Sequence, residues 1–92
     1  MKLEDILTLA VQKGASDVHL KVGVTPVIRL QGVLRPLNPL EPALSTLQLE
    51  HMAREVMTDD QWSHFAKVGE IDLSYAIAGV SRFRINVFHQ RG

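Results

Sequence analysis

Apolar residues recur along the chain with two periods, and each switch between them marks an element boundary. Leu3, Ile6, Leu7 and Ala10 fall at i, i+3, i+4 and i+7, which places them on one face of a helix. Glu4 and Asp5 occupy its first turn and Lys13 its last, matching the helix dipole, and Gly14 supplies the stop. From Asp17 the period drops to two. Val18, Leu20 and Val22 alternate with polar residues, as in a half-buried strand, and Gly23 to Pro26 turns the chain. Val27 to Gln31 predicts a second strand, with Ile28 and Leu30 on one face and Arg29 on the other. Gly32 predicts a tight turn into a short third strand, Val33 to Arg35. Pro36, Pro39 and Pro42 then recur every third residue, a spacing that suits an extended connection.

Two helix starts follow, each marked twice. Ser45-Thr46-Leu47-Gln48 has the form of a capping box, with Leu44 and Leu49 at the two staple positions around it. Leu49, Met52, Ala53 and Val56 give the buried stripe of this helix. Thr58-Asp59-Asp60-Gln61 repeats the box, with Met57 and Trp62 as the staple. Trp62, Phe65 and Ala66 are expected to face the core, and Gly69 to end the helix.

A hairpin closes the chain. Ile71, Leu73, Tyr75 and Ile77 share one face, as do Phe83, Ile85 and Val87, and a slip of one residue would exchange the faces. A two-residue loop at Ala78-Gly79 would set Arg82 opposite Tyr75, on the apolar side. A three-residue loop, Ala78 to Val80, instead pairs Tyr75 with Phe83 and Leu73 with Ile85, and this is the expected register. It sets Arg82 opposite Ala76, Arg84 opposite Ser74 and Asn86 opposite Asp72, all on the second face. The element order is α-β-β-β-α-α-β-β. That order predicts an α+β domain, an antiparallel sheet with helices packed mainly on one face.

Composition narrows the function. The 92 residues make one small domain, 1–92, with room for a single core. Lysine plus arginine equals aspartate plus glutamate, ten each, so the basic surplus of a nucleic-acid-binding protein is missing. The absence of cysteine excludes a disulfide framework and thiolate zinc, and suits a reducing cytoplasm. The first residues carry acids and a glutamine within their apolar run, unlike a signal peptide, and no apolar stretch approaches the ~20 residues that span a bilayer.

Several spaced motifs, in order, carry a family resemblance over essentially the whole chain. GASDVHLKVGVTPVIRLQGVLRPL, the helical pair ending EVMTDDQWSHF, and EIDLSYAIAGVSRFRINVFHQRG resemble the N-terminal domain of type IV pilus retraction ATPases. These are the PilT-type twitching-motility motors within the type II and type IV secretion ATPases. Two positions depart from the pattern: Gln31 stands where members often carry an acid, and Thr25 where they carry a proline. The resemblance implies a PAS-like N-terminal domain followed by a RecA-like C-terminal domain, the latter lying outside these residues. It implies a homohexamer in which ATP and Mg sit between the two domains of the full-length motor, with none bound by this domain alone. Its implied partners are the C-terminal domains of its own and neighbouring subunits and the platform protein of the pilus. Its implied place is the cytoplasm at the inner-membrane base of the machine, without membrane insertion. A phosphate-binding loop requires a Gly-Lys dipeptide, and none occurs here, so the chain alone is expected not to hydrolyse ATP.

Arginine offers a permanent charge and a planar fork of donors suited to phosphate oxygens. The family uses arginines of this domain toward nucleotide. Arg82 and Arg84, in the SRFR segment, and Arg29, in the IRLQG segment, are the matching positions. The same side chains also read as plain cross-strand partners, Arg84 diagonal to Asp72 and Arg82 near Ser74, worth about 0.2–1 kcal/mol each. The four histidines lack helical i, i+4 spacing and are expected to be surface or satisfied residues rather than metal ligands. Glu70 and Asp72 read as a solvated or arginine-paired strand face, and Ser16 and Asp17 as caps of a turn. Trp62 and Phe65 have core spacing rather than that of a base-stacking platform. A free-standing PAS-like sensor and an oligomerisation module without a nucleotide role remain as alternative functions.

Overall fold

The computed structural model describes residues 1–76 and 82–89. Its elements follow the expected order: α1 (Leu3–Gln12), β1 (Asp17–Lys21), β2 (Val27–Leu30), β3 (Val33–Pro36), α2 (Thr46–Val56), α3 (Asp59–Val68), β4 (Glu70–Tyr75) and β5 (Phe83–Phe88). The loop expected at Ala78 to Val80, and the inward side chains expected of Ile77 and Phe83, lie outside what is described.

Local chemistry sets the boundaries. Helix α1 ends in a Schellman turn, with the Gly14 N–H on the Val11 carbonyl and the Ala15 N–H on the Ala10 carbonyl, both at 3.0 Å. Both capping boxes form. The Gln48 N–H donates to Ser45 Oγ at 3.1 Å and the Ser45 N–H to Gln48 Oε1 at 2.9 Å. The matching Thr58 and Gln61 bonds are 3.2 and 2.8 Å. Each box thus satisfies two backbone donors that a helix start leaves orphaned. Gly69 closes α3 at φ 86°, donating to the Phe65 carbonyl at 2.7 Å. Strand β2 stops at Leu30, one residue short of expectation, because Gln31 (φ 51°) and Gly32 (φ 81°) together form the two-residue turn that pairs Leu30 with Val33.

The strands form a five-stranded sheet in the order β3-β2-β1-β5-β4. Three pairings are antiparallel, and the hairpin has the expected register, Tyr75 against Phe83 and Asp72 against Asn86. The central pairing differs from the antiparallel expectation: β1 and β5 run parallel, with Asp17 opposite Arg84 and Val18 opposite Ile85. Parallel neighbours need a long crossover, and the proline-rich segment, both later helices and β4 provide it. The chain enters by the edge strand β4 and turns back into the centre beside β1.

One face of the sheet is dry. Val18, Leu20, Ile28, Leu73, Ile85 and Val87 join the stripes of α1 and α2, with Phe65 of α3, in a single buried cluster. Each fully buried aliphatic side chain there contributes about 1.5–3 kcal/mol. Helix α3 meets this core along a narrow line. Phe65 is buried and Trp62 half-buried, but Ala66, expected inside, is exposed, one helical step beyond the line of contact. The opposite face of the sheet carries Arg29, Asp17, His19, Lys21, Arg84, Asn86, Asp72 and Ser74, and among the described residues no helix stripe packs there.

Candidate functional site

Strand direction sorts the charges on that open face. Because β1 and β5 are parallel and their outer neighbours antiparallel to them, Arg29, Asp17, Arg84 and Ser74 form one row across four strands. Arg82 lies just beyond it. The next row holds Val27, His19, Asn86 and Asp72, and Lys21, Phe88 and Glu70 lie farther along. The three arginines therefore gather at one end of the face, and the acids of β4 at the other.

Asp17 is the hub of the arginine end. Arg29 Nε donates to its Oδ2 at 3.0 Å, and Arg84 Nε to its Oδ1 at 3.4 Å. The side chains differ in exposure, 9% for Asp17, 36% for Arg29 and 70% for Arg84. Arg29 also donates from Nη1 to the Gly32 carbonyl at 3.2 Å, and Arg82 from Nη1 to Ser74 Oγ at 3.2 Å. Among the described residues, the terminal nitrogens of Arg84 engage no partner. Burial alone would raise the Asp17 pKa; the hydrogen bonds and charges of Arg84 and Arg29 outweigh it and hold the carboxyl below its ordinary value.

The sequence placed these arginines on one face but missed their partner. Arg84 pairs with Asp17 rather than with Asp72, which instead accepts from Asn86 Nδ2 at 2.8 Å. Asp17, read as a turn cap, is the anchoring carboxylate. The alternation of β1 already put it on Arg29's face, but its contact with Arg84 spans 67 positions and leaves no local trace. In the next row, His19 Nε2 is buried without a hydrogen-bond partner among the described residues. Concavities occur away from this face. A groove of about 350 Å³ between α1 and α2 is lined by residues such as Leu3, His51, Met52 and Glu55. A sheet face such as the arginine end becomes a cleft only when a second body closes on it.

No protein-family model matches the chain. It is 37% identical over 90 residues to the type IV pilus retraction ATPase PilT of Pseudomonas aeruginosa, spanning 98% of this chain and 26% of that protein. To the type IV pilus ATPase PilU of the same organism it is 33% identical over 91 residues, 99% of this chain and 23% of the relative. Among solved structures, the pilus retraction motor PilT with bound ADP superposes with a TM-score of 0.75 at 36% identity, covering all of this chain and 26% of that one. The chain spans about a quarter of the length of the relatives it matches. Over its whole length the chain is homologous, in sequence and in fold, to the N-terminal domain of PilT-type pilus retraction ATPases.

Proposed function

We propose that this chain is the N-terminal domain of a hexameric pilus-retraction ATPase and is not catalytic by itself. It packs on the RecA-like C-terminal domain of its own subunit and of a neighbour, and turns Arg84, Arg82 and Arg29 toward the ATP held there. The motor works in the cytoplasm against the inner-membrane platform of the pilus. Among the described residues, no helix is long and apolar enough to cross a membrane. ATP and its Mg ion bind the C-terminal domain, which supplies the hydrolytic chemistry; this chain supplies positive charge and hydrogen-bond donors.

The observation that carries this reading is the state of Arg84. Its side chain is 70% exposed on the open sheet face and, among the described residues, tethered through Nε alone, so its terminal edge is available to an incoming anion. That edge carries paired N–H groups matched to two phosphate oxygens. An arginine brought to a transferring phosphoryl group from another body stabilises the charge of the transition state, typically by a thousandfold or more in rate.

The test is Arg84→Ala in the full-length ATPase. Turnover is expected to fall at least about a hundredfold. The melting temperature should move by no more than about 4–8 °C, the shift that ~1 kcal/mol produces in a domain of this size. A loss of turnover that only follows the loss of folded protein would reduce Arg84 to a sheet-surface residue.

A further inference from the structure

We infer that Asp17 is the positioning residue for this arginine pair, holding the guanidinium groups of Arg29 and Arg84 side by side. The inference rests on the phosphate-facing reading above and adds the device that makes it work.

The backbone is fixed first. The Ser16 N–H donates to the Arg29 carbonyl at 3.0 Å and the Arg84 N–H to the Ser16 carbonyl at 3.1 Å, so the residue before Asp17 is knitted to both flanking strands. Asp17 is in register with Arg29 on one side and Arg84 on the other. Its short side chain, almost fully buried, has little freedom, and each oxygen takes one arginine Nε. Arg29 and Arg84 are the opposite kind of group, long stems that lose much rotamer freedom when ordered. A carboxylate at Nε restrains each stem near its end while leaving the terminal nitrogens outside the contact. It also offsets one of two adjacent positive charges. Two unneutralised guanidinium groups reaching toward one position from either side would repel, and one negative charge between them leaves a net positive pair. An anion arriving at this end of the sheet thus meets donors already ordered, which lowers the cost of ordering them on binding.

The experiment is done in the full-length ATPase at a temperature well below melting. Asp17→Asn keeps the shape but removes the charge, and is expected to lower kcat about tenfold or more with a much smaller change in KM for ATP. Asp17→Glu, which restores a carboxylate, should recover most of that turnover. Added to an Arg29→Ala, Arg84→Ala background, Asp17→Asn should change turnover less than about twofold, because residues acting through one another are non-additive. If Asp17→Asn still costs tenfold in that background, or if losses in all Asp17 variants simply follow their melting temperatures, Asp17 is a structural residue and the inference is wrong. The two readings separate cleanly. Arg84→Ala without effect sinks both, whereas a slow Arg84→Ala enzyme beside a normal Asp17→Asn enzyme sinks only the inference.

Discussion

Neutralising Asp17 should cost stability in a way that pH exposes. In Asp17→Asn the contact with Arg29, at 3.0 Å and with the carboxylate only 9% exposed, loses its charge. A hydrogen bond to a charged group contributes about 1.5–3 kcal/mol. The Arg84 contact is longer, 3.4 Å, and its arginine is 70% exposed, so solvent screening reduces it to a surface pair worth about 0–1 kcal/mol. Arg29 is itself partly exposed and can rehydrate, so the penalty stays below the ~3–5 kcal/mol of a fully buried broken pair. About 2 kcal/mol near pH 7 is the expected loss. The carboxyl's folded pKa is depressed, so its contribution is complete above the unfolded value of about 3.9 and fades as pH falls through the folded value. Asparagine does not titrate. Urea unfolding of both proteins should therefore give midpoints ~1–2 M apart near neutral pH, with the gap closing as pH falls through the depressed folded value. A gap that stays the same as pH falls, or an asparagine variant as stable as the parent near neutrality, would refute the argument that the charge of Asp17 stabilises this end of the sheet.

Other perturbations test the frame that carries the site. Ser45→Ala and Thr58→Ala each remove a capping acceptor and should cost about 0.5–2 kcal/mol by chemical denaturation, with effects that add because the two helix starts are separate. Gly69→Ala forces a Cβ into the left-handed region at φ 86° and should cost about 1–2 kcal/mol; a neutral result would show that α3 can end another way. His19→Leu removes a buried nitrogen that has no partner among the described residues and should leave stability unchanged or raise it by up to about 1 kcal/mol. A clear loss would mean that the imidazole makes a bond through ordered water.

The parts of the fold legible in the sequence are those written in neighbouring residues. The capping boxes at Ser45 and Thr58 are four residues long, and both helices start where they predict. The hairpin register followed from matching Tyr75 with Phe83 so that two apolar faces coincide. The parallel pairing of β1 with β5 was not legible, since either direction would bury Val18, Leu20, Ile85 and Val87 equally well. The site shared that fate. Arg29, Arg82 and Arg84 could be placed on a polar face by alternation, but the carboxylate between two of them emerges only once the first and last strands lie side by side. Ala66 was misplaced because α3's contact line is narrower than its apolar residues imply.

Placing the last strand in the middle of the sheet has a consequence for biosynthesis. Among the described residues, strand β4 is joined to the rest of the sheet only through β5, and β1 lacks its second neighbour until residues 83–88 leave the ribosome. Nearly the whole domain must be synthesised before its central ladder can zip, and contacts this distant in sequence close slowly. Until then the apolar side of β1 and the amphipathic helices wait without their full cover. A nascent chain paused before Phe83 should be an open, protease-sensitive intermediate, and one released after Phe88 a closed one.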